Sequence, residues 1–183
     1  QVLALCSAAG IDTAGLIRTP DRPTTRKTRI MADEAPRLPQ HVARLDRLDR
    51  ARLTAREETA VLAALQTLVP RHDAVLCSDY QLGLLTPPVV DTVQRLCRAH
   101  GALFCVDAQG NSHYYRGADL FRCNNREAEA ALAQPLQHEA DFPAGLARLQ
   151  ATLDARLVIV TRGPQGLSLL GDTRSYTHIP ALQ

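Results

Sequence analysis

Polar residues stand where a short apolar run gives way to a helical pattern, at Asn124 and Glu127. An amide and a carboxylate one helical turn apart can face the same way. Their oxygens suit a hydrated Mg²⁺ beside a phosphate, because Mg²⁺ takes oxygen ligands and usually keeps several waters. The same Asn124-x-x-Glu127 spacing is also typical of a helix start, with Asn as cap and Glu completing a capping box. The residues alone leave both interpretations open.

A second candidate site is the turn Thr161-Arg162-Gly163-x-x-Gly166, which follows an apolar run. Two glycines and a hydroxyl let backbone N–H groups approach an anion closely. The segment is neither a Walker loop nor the dinucleotide-binding GxGxxG pattern. A plain hairpin turn, with 167–170 returning as a strand, explains the same residues equally well.

Two carboxylates end two other apolar runs. Asp79 is followed by Tyr80, and Asp107 is followed three positions later by Gly110. Carboxylates at strand ends can bind sugar hydroxyls or the water molecules of a metal ion, although either Asp can equally cap its own loop. The sequence holds no Ser-His-Asp order, GxSxG elbow or HExxH helix, so acyl transfer and zinc hydrolysis have little support.

An alternation of apolar runs and helical patterns must position these residues. Buried strands are predicted near 74–77, 102–106, 119–122 and 157–161. Helices are predicted over 1–9, 54–69, 86–100, 125–133 and 143–153. This order predicts an α/β fold with a mostly parallel sheet and helices on both faces. In such sheets, polar residues just past the strand ends line the ligand crevice.

The predicted helix ends carry recognisable signals. Thr54-x-x-Glu57 has the form of a capping box. Thr86 and Asp141 are expected to cap the helices that follow them. Gly101 fits the left-handed position just past a helix end.

Residues 24–46 predict a β hairpin with one solvated face. Its two strands are polar and alternating, and the connection from Ala32 to Pro39 carries Asp, Glu and two Pro. Such a hairpin suits a lid over a site, although an ordinary edge hairpin has the same pattern. Lys27 is the only lysine among 21 basic residues, either by chance or because the position needs a compact ammonium group.

Composition bounds the remaining possibilities. A length of 183 residues suits one domain. A net charge of +2 and 4% aromatics argue against a nucleic-acid partner. No stretch approaches the ~18 apolar residues of a membrane span. The five cysteines form no CxxC pair; we interpret those in the predicted strands and helix as buried, and the chain as cytoplasmic.

The order of these signals resembles the ribokinase-like sugar kinases, also called the PfkB carbohydrate kinases. Within that family, the chain is most similar to the heptose-7-phosphate kinase branch of lipopolysaccharide-core precursor synthesis. The resemblance covers nearly the whole chain. Its residues are Arg22-Pro23-Thr24-Thr25-Arg26-Lys27-Thr28-Arg29, Gln40-His41-Val42-Ala43-Arg44-Leu45-Asp46, Leu76-Cys77-Ser78-Asp79-Tyr80-x-x-Gly83, Val106-Asp107-x-x-Gly110, Tyr115-Arg116-Gly117-Ala118, Asn124-x-x-Glu127-Ala128 and Val160-Thr161-Arg162-Gly163-x-x-Gly166.

The resemblance implies a three-layer α/β/α fold with residues 24–46 as a small lid on a core of 1–23 and 47–183. It implies ATP-dependent, Mg²⁺-assisted phosphorylation of a sugar or sugar-phosphate hydroxyl. It assigns nucleotide and phosphate to Asn124, Glu127, Thr161, Arg162, Gly163 and Gly166, with Glu127 holding the metal through water. It assigns the sugar to Lys27, Asp79, Tyr80, Asp107 and Gly110. Since lids of this family often pair, it also implies a homodimer through the lid.

Three departures stand against the resemblance. The sequence contains neither the family's N-terminal strand with its sugar-binding Asp nor the glycine-rich GAGD segment with the catalytic base. Gln109 and Leu82 stand where the branch has lysines. The chain therefore looks like an internal portion of a kinase, and we expect it to be inactive alone. The alternative is a non-catalytic, degenerate module that binds a sugar or nucleotide or serves as an interaction scaffold.

Overall fold

A six-stranded sheet and a separate two-stranded hairpin form the framework. The computed structural model describes residues 1–32, 40–173 and 175–182. The hairpin strands are β1 (Arg26–Ala32) and β2 (Gln40–Arg47). The main sheet contains, in spatial order, β3 (Ala74–Asp79), β4 (Leu103–Ala108), β5 (Leu120–Asn124), β6 (Leu157–Thr161), β7 (Leu167–Leu170) and β8 (Tyr176–Ile179). Strands β3 to β6 pair in parallel, whereas β7 pairs antiparallel with β6 and β8 pairs antiparallel with β7. The mostly parallel sheet confirms the predicted α/β fold.

The helices begin and end close to the predicted positions. They are α1 (Val2–Ala8), α2 (Ala55–Leu68), α3 (Pro87–His100), α4 (Asn125–Leu132) and α5 (Asp141–Leu153). Thr54 and Glu57 form the expected capping box, and Gly101 adopts a left-handed φ of 71°. Among the helices of the described chain, none has the length and apolar character needed to cross a bilayer.

Alternate strand residues face a core that α3, α4 and α5 cover. On β5 the buried positions are Phe121 and Cys123, and Val158 and Val160 continue the layer on β6. This alternation follows from the period of two in a strand, which sends successive side chains to opposite faces. The opposite face is more open in the described chain, since Leu76 is 64% exposed.

Two predictions of detail are wrong, and a third is right in position only. Thr86 occupies the cap position of α3, but its hydroxyl donates to Glu58 Oε2 at 2.6 Å instead of accepting from the helix. Asp141 is the first residue of helix α5 and not its cap. Its carboxylate accepts the amides of the preceding Gln137 and His138 instead of helix amides. Cys105 is only partly buried, because it lies on the open face of β4.

The connection between the adjacent parallel strands β4 and β5 contains no α-helix. A 3-10 turn, Ser112–Tyr115, buries Tyr115 completely in the core. The Gly117 amide donates to the carbonyl of Leu153 at 2.7 Å, and the Gln94 side chain donates to the carbonyl of Arg116. The segment is thereby held against α3 and α5 along its length.

The hairpin stands apart from this core. Its strands pair antiparallel, with Lys27 opposite Asp46, and nearly every residue in them is exposed. The predicted turn over 33–39 lies outside the described residues. Arg22 Nη2 donates to the carbonyls of Ala51 and Leu82, both at 2.5 Å, so the guanidinium ties both roots of the hairpin to the loop after β3.

Candidate functional site at the ends of the parallel strands

Three polar side chains form a row across the C-terminal ends of β4, β5 and β6. Arg122 Nη1 donates to Asp107 Oδ1 at 2.7 Å, and Arg122 Nη2 donates to Thr161 Oγ1 at 3.1 Å. Asp107 and Arg122 are register partners on adjacent strands, as are Asn124 and Thr161. We call Asp107, Arg122 and Thr161 the strand-end row. It joins residues that the sequence assigned to separate sugar and nucleotide sides.

Arg122 was not anticipated from the sequence. The available signal was its position, two residues before Asn124 and alternating with the apolar residues of β5. Its side chain remains 39% exposed. The hydrogen bond to Asp107 is the main cause that raises the pKa of the guanidinium, and nearby Glu127 acts in the same direction. The row is therefore a charged element held at the edge of the sheet.

Asn124 and Glu127 do form a capping box. Asn124 Oδ1 accepts the Glu127 amide at 3.0 Å, and Glu127 Oε2 accepts the Asn124 amide at 2.7 Å. This arrangement occupies one carboxylate oxygen and leaves Glu127 Oε1 without a hydrogen-bond partner among the described residues. The helix-start interpretation is thus seen directly, and it is compatible with a further ligand on the second oxygen.

A cleft of about 660 Å³ opens beside this helix start. Gln109, Gly110, Asn124 and Glu127 are among the residues that line it. Basic side chains also line it, namely His113, Arg116 and Arg126. The cleft therefore has the size and charge for a small anionic molecule.

The two glycines of the turn after β6 serve different purposes. Gly163 has a φ of 58° and open space over its Cα, and its amide has no acceptor in the described part of the chain. Gly166 has a φ of 87°, and a side chain there would collide with the backbone of 179–181. Gly163 therefore offers a free amide near Thr161, whereas Gly166 allows the chain after β8 to pack on the turn.

Arg162 points away from the strand-end row. Its side chain is 5% exposed and pairs with Glu139 Oε2 at 2.7 Å. The guanidinium carbon lies 3.7 Å from the centre of the Phe142 ring, in a stacking geometry. Tyr176 donates to Glu139 as well, and these bonds lower the pKa of the Glu139 carboxyl. The geometry makes Arg162 a brace between the turn and α5 and keeps its charge from the row.

Asp79 lies inside the protein. Its Oδ2 accepts the Tyr115 hydroxyl at 2.7 Å, and its Oδ1 accepts the Gln81 amide at 2.7 Å. Burial, followed by this hydrogen bond, raises the pKa of the Tyr115 hydroxyl above its ordinary range. Both carboxylate oxygens are therefore engaged by the protein, in the loop-capping manner that the sequence left open.

The remaining predicted sugar residues lie near this loop. Lys27 Nζ lies 5.1 Å from the centre of the Tyr80 ring, which brings the hairpin to the end of β3. Gly110 has a φ of 96°, and the side chain of Gln81 occupies the space where a Cβ would stand. Among the described residues, no three His, Cys, Asp or Glu side chains lie close enough to hold a metal ion by themselves.

A mostly parallel sheet with polar residues gathered at its C-terminal strand ends is the arrangement by which open α/β proteins bind ligands. The fold is shared with the ribokinase of Giardia lamblia, at a TM-score of 0.71 and 12% identity over 99% of this chain and 55% of that one. Arabidopsis thaliana ribokinase, complexed with ribose and ATP, matches at a TM-score of 0.59 and 11% identity over 88% of this chain and 50% of that one.

The family follows from the sequence match. A family model described as pfkB family carbohydrate kinase covers residues 1–183, and the chain belongs to that family. "Bifunctional protein HldE" of Geobacter metallireducens is 35% identical over 95% of this chain and 35% of the relative. The protein of the same name from Trichlorobacter lovleyi is 33% identical over 99% of this chain and 36% of the relative. The chain thus spans about a third of the length of these curated relatives.

Proposed function

We propose that the chain is part of an ATP-dependent kinase that phosphorylates a hydroxyl of a sugar or sugar phosphate, of the heptose-phosphate type. The observation that carries the proposal is the strand-end row. It makes Asp107, expected on the sugar side, continuous with Thr161, expected on the nucleotide side. Family membership and the HldE relatives support the same reaction class.

The reaction transfers the terminal phosphoryl group of ATP. The sugar hydroxyl oxygen forms a bond to the terminal phosphorus, the bond from that phosphorus to the bridging oxygen breaks, and ADP leaves with the electron pair. The hydroxyl proton passes to a base. Catalysis of this kind depends on positioning and on neutralising charge on the phosphate. The Gly163 amide, the Thr161 hydroxyl and Arg122 are the groups of this chain that suit that task.

Mg²⁺ fits the residues present as a hydrated ion. Glu127 Oε1 is the carboxylate oxygen left over from the capping box, and one such oxygen can hold a metal-bound water. When bound, the ion would supply positive charge to the phosphates. Its remaining ligands would be water and phosphate oxygens, in keeping with the lack of a three-residue metal cluster among the described residues.

The hairpin is proposed as the lid, with residues 24–46 closing on a core of 1–23 and 47–183. Lys27 and Tyr80, which already meet, would line the sugar side with Asp107 and Gly110. The face of the hairpin that bears Ile30 and Leu45, 46% and 63% exposed, lies opposite the face that carries Lys27. A second copy pairing on that face would bury the exposed Ile30 and Leu45 side chains, so we propose a homodimer through the lid.

Dimer formation is tested by substituting the apolar face. Leu45→Asp is expected to shift the chain to a monomer in analytical ultracentrifugation, because it places charge in the proposed interface. Arg44→Asp, on the Lys27 face of the same strand, is the matched control. A monomeric wild type at high protein concentration would contradict the dimer.

The five free cysteines in the structure support a cytoplasmic location.

We further propose that these 183 residues alone do not catalyse phosphoryl transfer from ATP. Of the two strand-end carboxylates, Asp79 has both oxygens engaged by Tyr115 and Gln81, and Asp107 gives one oxygen to the Arg122 guanidinium. General-base assistance typically contributes about 10²–10⁴-fold to rate. Losing anion-stabilising amides, as the absent GAGD segment implies, costs roughly 10²-fold or more by analogy with an oxyanion hole.

The experiment measures nucleotide binding and turnover separately. Calorimetry with ATP and Mg²⁺ is expected to detect binding that weakens in Thr161→Val, with Thr177→Val on β8 as the control. A coupled ADP-release assay with heptoses, hexoses, pentoses and their phosphates is expected to stay at background. Robust ADP release that disappears in Asn124→Ala and Glu127→Ala would refute inactivity and require another base in this chain.

A non-catalytic binding or scaffold module is the second candidate. The engaged state of Asp79 and Asp107 favours it, as do Gln109 and Leu82 in the positions where lysines are expected. The gene sequence following the codon for Gln183 discriminates the two candidates. A GAGD-like segment there supports the kinase, and a stop codon supports the module.

A further inference from the structure

Arg122 occupies the centre of the strand-end row with much of its hydrogen-bonding capacity unused. A guanidinium carries five N–H donors in a planar fork. One donor goes to Asp107 Oδ1 and one to Thr161 Oγ1, and the other three have no acceptor among the described residues. With its side chain 39% exposed, the group is neither buried in the core nor loose in solvent.

The two bonds that Arg122 makes also fix its orientation. Asp107 lies across β4 and Thr161 across β6, so the guanidinium is held from both sides. A fork held in this way loses little side-chain entropy when it binds a further anion. Thr161, whose own hydroxyl is 3.4 Å from the carbonyl of Cys123, is in turn anchored to β5.

We propose that Arg122 binds the terminal phosphate of the bound nucleoside triphosphate. The inference rests on the proposed function, in which Thr161 is on the nucleotide side and Asp107 is on the sugar side. The phosphoryl group in transfer must lie between those two sides, and Arg122 spans that gap. Arginine suits this position because its fork matches two phosphate oxygens at once.

The proposal also accounts for the source of positive charge. The Lys27 ammonium lies over the Tyr80 ring, and the Arg162 guanidinium is ion-paired with Glu139. Gln109 and Leu82 supply no charge to the strand ends. Arg122 is the cation that the row itself provides, with Asp107 as the positioning residue that keeps it in place.

The test compares triphosphate with diphosphate in the full 183-residue chain. Calorimetric titrations with ATP and with ADP, each with Mg²⁺, are made on the wild type, Arg122→Gln and Arg122→Lys. Arg122→Gln is expected to weaken ATP binding at least about tenfold, or ~1.4 kcal/mol, and ADP binding less than about twofold. Arg122→Lys keeps the charge without the planar fork, and its ATP affinity is expected to fall between those of the wild type and Arg122→Gln.

Arg156→Gln is the matched control. Arg156 also bridges two side chains, Asp119 and Asp172, but at the opposite end of the sheet. It is expected to leave the ratio of ATP to ADP affinity unchanged. If Arg122→Gln does not fold, as judged by circular dichroism, the same ratio in Arg122→Lys decides.

Each other outcome has a definite meaning. Equal weakening of ATP and ADP, or no weakening of either, overturns the assignment of Arg122 while the proposed function stands. The same variants are also titrated with a sugar phosphate; loss of that binding with ATP binding intact overturns the assignment and identifies the substrate's own phosphate as the ligand. A wild-type chain that binds no nucleotide overturns both the assignment and the proposed function.

Discussion

The ammonium group of Lys27 lies over the ring of Tyr80, 5.1 Å from its centre. It is a contact between the hairpin and the loop that follows β3. The only lysine of the chain is therefore committed to an aromatic face at the predicted sugar side. Cation–π contacts at exposed sites contribute about 0.5–1 kcal/mol, so the contact is weak enough to exchange for a ligand.

Lys27→Ala is expected to loosen the hairpin. Loss of ~0.5–1 kcal/mol corresponds to a roughly two- to fivefold larger equilibrium constant for opening of the hairpin. Hydrogen exchange followed by mass spectrometry on peptides covering 26–32 and 40–47 measures it. Arg26→Ala, on the other face of the same strand, controls for charge loss. Equal exchange in Lys27→Ala and the wild type would show that the contact does not hold the hairpin.

Tyr115→Phe is expected to destabilise the core. The substitution keeps the buried ring but leaves Asp79 Oδ2 without its donor. A buried group that loses its hydrogen-bond partner costs about 1–3 kcal/mol. The urea midpoint of unfolding should fall accordingly, whereas Tyr114→Phe in the same turn should change it little. A midpoint unaltered by Tyr115→Phe would mean that water replaces the hydroxyl.

Gly166→Ala and Gly163→Ala should differ in their cost. Both positions have positive φ, which costs a residue with a side chain about 1–2 kcal/mol. Only at Gly166 does the new methyl also meet the backbone of Ile179. Thermal unfolding should therefore show the larger loss for Gly166→Ala. Equal losses would indicate that 179–181 moves aside at no cost.

Buried thiols predict a loss of stability in alkali. Burial raises the pKa of Cys77 to about 12 and that of Cys123 to about 12, from an ordinary value of 9.0. In the unfolded chain these thiols ionise first, so their contribution is complete below pH ~9 and declines between ~9 and ~12. The raised pKa of Tyr115 adds to the same trend.

The pH effect is measured by urea unfolding at pH 8 and at pH 10.5. The double variant Cys77→Ala, Cys123→Ala should be less stable at both, with a smaller drop between them. Cys6→Ala in helix α1 should retain the wild-type drop. A double variant whose drop equals that of the wild type would assign the alkaline loss to other groups.

The sequence located the parallel strands well, because the apolar runs of β3 to β6 record burial directly. It missed Arg122, since its two partners lie 15 and 39 residues away and meet only when the sheet forms. Nor could it show that Tyr115, 36 residues later, donates to Asp79, because nothing in the local sequence reveals that contact. Strand position was predictable, while the partner of each polar atom was not.

Arg22 gives the hairpin a fixed pivot. Because one guanidinium holds the carbonyls of Ala51 and Leu82, the strands can tilt while their base stays anchored to the core. A seven-residue strand is about 23 Å long, so a tilt of only ~10° would carry Ala32 some ~4 Å. A small rotation at the base of the hairpin thus produces a large displacement of its far end. We expect the hairpin to work as a lever, admitting and enclosing a molecule the size of a sugar without breaking a single strand pair.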